Sequence, residues 1–109
     1  MSLNKQEEKI VRRFAEKIKE SLNDNIVFLE LFGSKVRGDF SSDSDIDILL
    51  VVKKKTPEVR DAIFNVLFDI DPYYKFKVSP VIYSEFEYQK NRELESTFVE
   101  TISKEGIML

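Results

Sequence analysis

Residues 46 to 52 read Ile-Asp-Ile-Leu-Leu-Val-Val, an apolar and largely branched run interrupted by one acid. That composition is the composition of a buried strand, and on a strand side chains two apart share a face. Asp45 and Asp47 are therefore expected to point the same way, with Cα atoms roughly 6.5 Å apart at strand rise. Both carboxylates can then reach one hard cation whose oxygen ligands stand at about 2.1 Å. A Mg²⁺ site is the natural reading.

Upstream, the apolar run from Asn25 to Phe32 reads as another strand and ends on Gly33 and Ser34. A glycine at the exit of a strand lets a phosphate come close to the backbone. The N–H groups of the following turn, the Ser34 hydroxyl and the Arg37 guanidinium are all donors to phosphate oxygens. A nucleoside triphosphate carried on Mg²⁺ satisfies both ends of the stretch.

Gly33-Ser34, then Arg37-Gly38, then Ser44-Asp45-Ile46-Asp47 and an apolar strand together resemble the signature of the DNA polymerase β superfamily of nucleotidyltransferases. The whole chain is similar to its small free-standing branch, the minimal nucleotidyltransferases. The resemblance implies that Asp45 and Asp47 are the catalytic, metal-holding pair and that Gly33, Ser34 and Arg37 bind the nucleotide. It implies a nucleoside triphosphate substrate, ATP first among them. It also implies a partner, because minimal nucleotidyltransferases typically pair with a helical HEPN-type protein in toxin–antitoxin arrangements.

A chain of 109 residues is expected to make one domain, residues 1–109, with no second lobe. A homodimer or a helical partner is then expected to cover the site. The formal charge of −3 offers no broad positive field for tight binding of long nucleic acid. Neither cysteine nor histidine is present, so carboxylates must carry any chemistry. No run is long and apolar enough for a membrane span, and no signal-peptide pattern opens the sequence, so a cytoplasmic location is expected.

The remainder of the chain reads as scaffold. Asn4-Lys5-Gln6-Glu7 has the form of a capping box before an amphipathic helix whose apolar positions are Ile10, Val11, Phe14, Ala15, Ile18 and Leu22. Its mixed charges suit a solvated face better than a docking stripe. Asn23-Asp24-Asn25 breaks this helix. Ser41 to Ser44 is turn chemistry, and the calcium-loop pattern begun by Asp43, Asp45 and Asp47 fails at Ile48 and Lys54. Lys53 to Lys55 guard the exit of the apolar strand, a role that fits them better than receiving a phosphate tail.

Thr56 and Pro57 open a second long helix, with Val59, Ala62, Ile63, Val66, Leu67 and Ile70 as its core face and Asp71-Pro72 as its end. A third strand is expected over about 75–83, and Pro80 within it argues for an edge position or a bulge. Ser84 and Glu87 form a second capping box over a short helix through Tyr88, with a break at Asn91-Arg92. A last helix is expected over about 93–104, stopped by Gly106, and the apolar tail Ile107 to Leu109 docks on the core or contacts a partner. Most of the Phe and Tyr residues stand at core-like spacings and do not read as base-stacking platforms.

One departure from the family stands out. Catalytically competent relatives place a third carboxylate on the strand facing the acid pair, whereas here that strand reads Phe76-Lys77-Val78-Ser79-Pro80-Val81, and Ser79 stands where the acid belongs. Glu85 and Glu87 are the nearest substitutes, though capping accounts for Glu87. The expected fold is α+β or α/β, a small mixed sheet with helices packed on one side, in the nucleotidyltransferase (polymerase β-like) arrangement. Two functions follow. One is an enzyme that moves a nucleoside monophosphate from a Mg²⁺-bound triphosphate to a hydroxyl on a protein or RNA, a role the resemblance extends to the antitoxin of a toxin–antitoxin pair. The other is a weak or inactive module of the same fold that neutralises a HEPN-type partner.

Overall fold

The structure is a computed structural model and describes residues 3–37, 45–94 and 96–109, with Ser34 and Arg37 described for their backbone only. The first helix, α1 (Lys5–Leu22), starts where the capping box puts it. The Glu7 amide donates to Asn4 Oδ1 at 2.8 Å and the Asn4 amide to Glu7 Oε1 at 3.0 Å, so two donors that no helix bond can satisfy are both used. Val11, Phe14, Ala15 and Ile18 form its buried stripe.

A single 3₁₀ turn, Asn23–Asn25, leads into strand β1 (Ile26–Phe32), and the short helix α2 (Ser34–Arg37) follows Gly33. Strand β2 (Ile46–Val52) is antiparallel to β1. Helix α3 (Pro57–Ile70) is opened by Thr56, whose hydroxyl accepts from the Val59 amide at 3.2 Å. It returns the chain so that β3 (Val78–Ser84) lies parallel to β2. Helices α4 (Glu85–Glu93) and α5 (Thr97–Glu105) precede β4 (Ile107–Met108), which joins the far edge of β1. The sheet order is β3-β2-β1-β4. Pro80 thus lies on an outer strand, where its missing N–H costs no ladder bond on the open side.

Helices cover both faces of the sheet, not one. Leu29, Leu31, Ile46, Ile48, Leu50 and Val78 pack under α1 and α3, while Leu49 and Val51 pack with Tyr88 of α4 and with Val99 and Ile102 of α5. A strand with both faces covered needs no polar alternation, which is why β2 is apolar almost throughout. Asp47 is the one residue of β2 that is not fully buried.

Three further boundaries differ from the sequence reading. β3 begins at Val78, three residues later than expected, because residues 71 to 77 form a loop with Tyr74 and Lys77 at φ 53° and 52°. α4 runs on to Glu93, because the Asn91 side chain donates to the Glu87 carbonyl at 2.8 Å and so continues the helix it was expected to end. α5 accordingly starts at Thr97. Gly106 does stop it, at an ordinary φ of −68°, and space is what requires glycine there. A Cβ would stand 2.5 Å from Glu30 Oε1 and 2.6 Å from the Ile102 carbonyl oxygen. The apolar tail docks as β4, and the Leu109 amide donates to the Leu29 carbonyl at 3.0 Å. Among the described residues no helix is long and apolar enough to cross a membrane.

Candidate active site

Strand pairing brings the two halves of the motif together. Phe32, the last residue of β1, is the register partner of Asp47, and Asp47 is in turn the register partner of Ser79 on β3. Register partners leave a sheet on one face, so Phe32, Asp47 and Ser79 form a row across three strands. Asp45 stands just before β2 and is exposed, while Asp47 is half-buried. Asp45 lies one residue outside β2, so the alternation that fixes the side of Asp47 stops just short of it.

Gly33 follows Phe32 and turns the chain with φ 89°, a left-handed value that side-chain-bearing residues rarely adopt. It also faces Asp47: a Cβ on Gly33 would lie 3.1 Å from Asp47 Cγ and overlap Oδ2. The group the structure packs against it is the second acid. The Val36 amide then donates back to the Gly33 carbonyl at 3.1 Å, starting α2. Ser34 and Arg37 are placed on α2 by their backbone, and the roles expected of their side chains lie outside the described residues. So do Gly38, Ser44 and the turn and calcium-loop readings of residues 38–44.

Two supports of this site were not read from the sequence. Lys35, the second residue of α2, is only 2 % exposed, and its Nζ lies 2.9 Å from Glu7 Oε2. Glu7 therefore serves α1 as a cap through one oxygen and α2 as an ion-pair partner through the other. Nothing in the spacing of residues 7 and 35 signals this. The second support is the loop before β3. Buried Asp71 accepts from the Lys75 amide at 2.8 Å and the Phe76 amide at 3.1 Å. At the other end of the loop the Lys77 carbonyl accepts from the Ile46 amide at 3.0 Å, directly between the two acids. Tyr74 sits in this loop, and its phenol is pushed up from its ordinary pKa by desolvation and then by the charges of Asp45, Asp47 and Asp71. Both acids thus act on one phenol.

Other candidates fall away from the site. Ser84 pairs with Val52 at the opposite end of β2, so Glu85 and Glu87 begin at the wrong end of the sheet to complete the acid pair. The Glu87 carboxylate is held below its ordinary pKa chiefly by the Ser84 amide. Lys53 to Lys55 share that distant end, and Lys55 pairs with Glu87 at 3.4 Å. From Asp47 to Lys53 the strand spans roughly 20 Å at strand rise. Among the described residues no group of three or more His, Cys, Asp or Glu side chains is gathered as a metal centre.

Asp47 thus stands beside the glycine turn, with a second acid two residues earlier in the sequence. The sequence profile of the nucleotidyltransferase domain matches residues 11–106. The chain belongs to the nucleotidyltransferase family. Two proteins of Methanocaldococcus jannaschii that carry the name "putative protein adenylyltransferase" are similar over nearly their whole length. One is 27 % identical over 90 % of this nucleotidyltransferase and 93 % of its own chain. The other is 30 % identical over 94 % and 97 %. A crystal structure described as a putative nucleotidyltransferase from Sulfolobus solfataricus covers 99 % of this nucleotidyltransferase and 89 % of that chain, with 21 % identity and a TM-score of 0.48. The family suggests a divalent metal and a nucleotide substrate.

Proposed function

We propose that this nucleotidyltransferase, acting as one domain over residues 1–109, transfers an adenylyl group from ATP to a hydroxyl on a protein or RNA. The observation that carries the reading is the packing of Gly33 against the Asp47 carboxylate, which joins the phosphate-side turn to the acid strand. The names of the two relatives support adenylyl as the group moved.

Two carboxylates with an exposed outer member suit a hard cation that fills its remaining positions with water and phosphate oxygens, and Mg²⁺ is such an ion. Asp45 and Asp47 would hold it. When bound, it offsets the negative charge of the triphosphate and orients it. The chain's own residues do the rest: Gly33 and Ser34 cradle the β and γ phosphates, and Arg37 supports that loop or the phosphates. The acceptor hydroxyl is then aligned on the α phosphorus; its oxygen bonds to that phosphorus as the bond to the bridging oxygen of pyrophosphate breaks, pyrophosphate leaves and the hydroxyl proton passes to solvent. Holding the reacting groups in line is itself a large part of such catalysis.

A second reading is favoured by Ser79, the residue paired with Asp47. A hydroxyl there would supply no anionic ligand to a second, acceptor-activating cation, and turnover would then be slow. On this reading the fold serves as the antitoxin that binds a helical HEPN-type partner, with a homodimer as the other arrangement that covers the site. A cytoplasmic location suits either reading. Incubation with α-labelled ATP, Mg²⁺ and co-purified proteins or RNA tests the first reading. Label on an acceptor with the wild type and none with Asp47→Asn supports transfer. Label that survives Asp47→Asn overturns the assigned site, and partner binding without label supports the second reading.

A further inference from the structure

A small cavity of about 190 Å³ opens beside Gly33, between the end of β1 and helix α5. Phe32 and Phe98 wall it, and Thr97, Thr101, Ile102 and Glu105 complete its lining from α5. The aromatic wall is a fixed one. Phe98 stands edge-on to Phe32, with centroids 5.5 Å apart at 90°, and meets Tyr83 at 6.0 Å. It is still 37 % exposed, so a packed residue presents part of its ring to the cavity. Phe98 reads in the sequence as a core position of the last helix, and the structure gives it this second, open side.

We infer that this cavity receives the nucleobase of the bound nucleotide, an inference that rests on the function proposed above. Three features select that ligand. The cavity shares Gly33 with the turn assigned to the phosphates, so a molecule whose phosphates meet the turn has its other end within reach. Phe32 pairs with Asp47, which places the aromatic wall on the face of the sheet that carries this acid. At about 190 Å³ the space lies below the roughly 300–1,000 Å³ of pockets that enclose a whole drug-sized ligand. It suits one flat ring system with the sugar and phosphates outside. Aromatic contact with a base contributes enough to affinity to be read in a binding curve. The hydroxyls of Thr97 and Thr101 on the α5 side offer hydrogen-bond partners to a base edge.

The test compares ligands with and without a base. Calorimetric titration of the full chain in Mg²⁺ with ATP, and separately with inorganic tripolyphosphate, isolates what the base adds. The expected result is that ATP binds at least about tenfold more tightly than tripolyphosphate, in line with base–aromatic contact energies. Phe98→Ala removes most of that margin without changing tripolyphosphate affinity. Because Phe98 also packs against Tyr83 and Phe32, the companion variant is Thr101→Phe, which fills the cavity from an exposed position and gives the same loss in a folded protein. Equal binding of ATP and tripolyphosphate by the wild type overturns the base site while leaving the function intact. So does unchanged ATP affinity in Thr101→Phe. If neither ligand binds, the proposed function fails and takes this inference with it.

Discussion

Lys35 Nζ and Glu7 Oε2 meet at 2.9 Å with side-chain exposures of 2 % and 12 %, an ion pair that ties the helix after Gly33 to the start of the chain. Removing one partner of a buried pair leaves the other charge uncompensated, which typically costs about 3–5 kcal/mol, more than the pair itself is worth. Lys35→Met is therefore expected to lower stability by about 3 kcal/mol in denaturant unfolding. Adding Glu7→Gln to Lys35→Met should restore part of the loss. A loss under about 1 kcal/mol in the single variant would place the pair among ordinary surface contacts.

Gly33→Ala meets two obstacles at once, a φ of 89° and the Asp47 carboxylate. The conformational strain alone is about 1 kcal/mol, so the fold is expected to persist. Asp47 must move, and divalent-cation affinity should fall sharply while far-ultraviolet circular dichroism stays unchanged. Unaltered cation binding would show that the glycine is needed for its backbone angle only.

Ser79→Asp places a carboxylate on the register partner of Asp47. A ligand that stabilises the transition state by roughly 3 kcal/mol raises the rate by about two powers of ten. The variant is expected to bind Mg²⁺ more tightly and to transfer faster. Glu85→Gln, at the far end of β2, should change neither quantity, and a loss of transfer in that variant would refute the placement of the site.

Glu30 lies buried beside Gly106, and desolvation pushes its carboxyl up from the ordinary value. Folding thus favours the protonated form. The contribution of this group to stability is full below the unfolded carboxylate pKa, about 4.3, and is lost as pH rises through the raised folded value. Glu30→Gln should flatten the dependence of Tm on pH in that window and exceed the wild type above it. Parallel curves for the two proteins would contradict this.

Local chemistry made much of the chain legible. Asn4 with Glu7 and Ser84 with Glu87 cap their helices as their spacing indicates, because capping depends on residues three apart and on nothing distant. Asp47 and the apolar run around it mark a buried strand for the same reason. Pro80, through its missing donor, argues for an edge position or a bulge, and the sheet order puts its strand at an edge. The end of α4 lies beyond the break expected at Asn91-Arg92, where Asn91 bonds within its own helix, a choice that composition leaves open.

Relations between distant segments were decided only by the packed structure. That β4 closes the sheet beside β1, that helices cover both faces, and that Lys35 is buried against Glu7 all depend on which surfaces meet. The contact between Gly33 and Asp47 is of the same kind: the sequence contained both residues, and strand register set them against each other. Periodicity reports which side of an element is apolar. It carries no record of the partner that side will find, since burial is rewarded without regard to identity until shapes and charges are brought together.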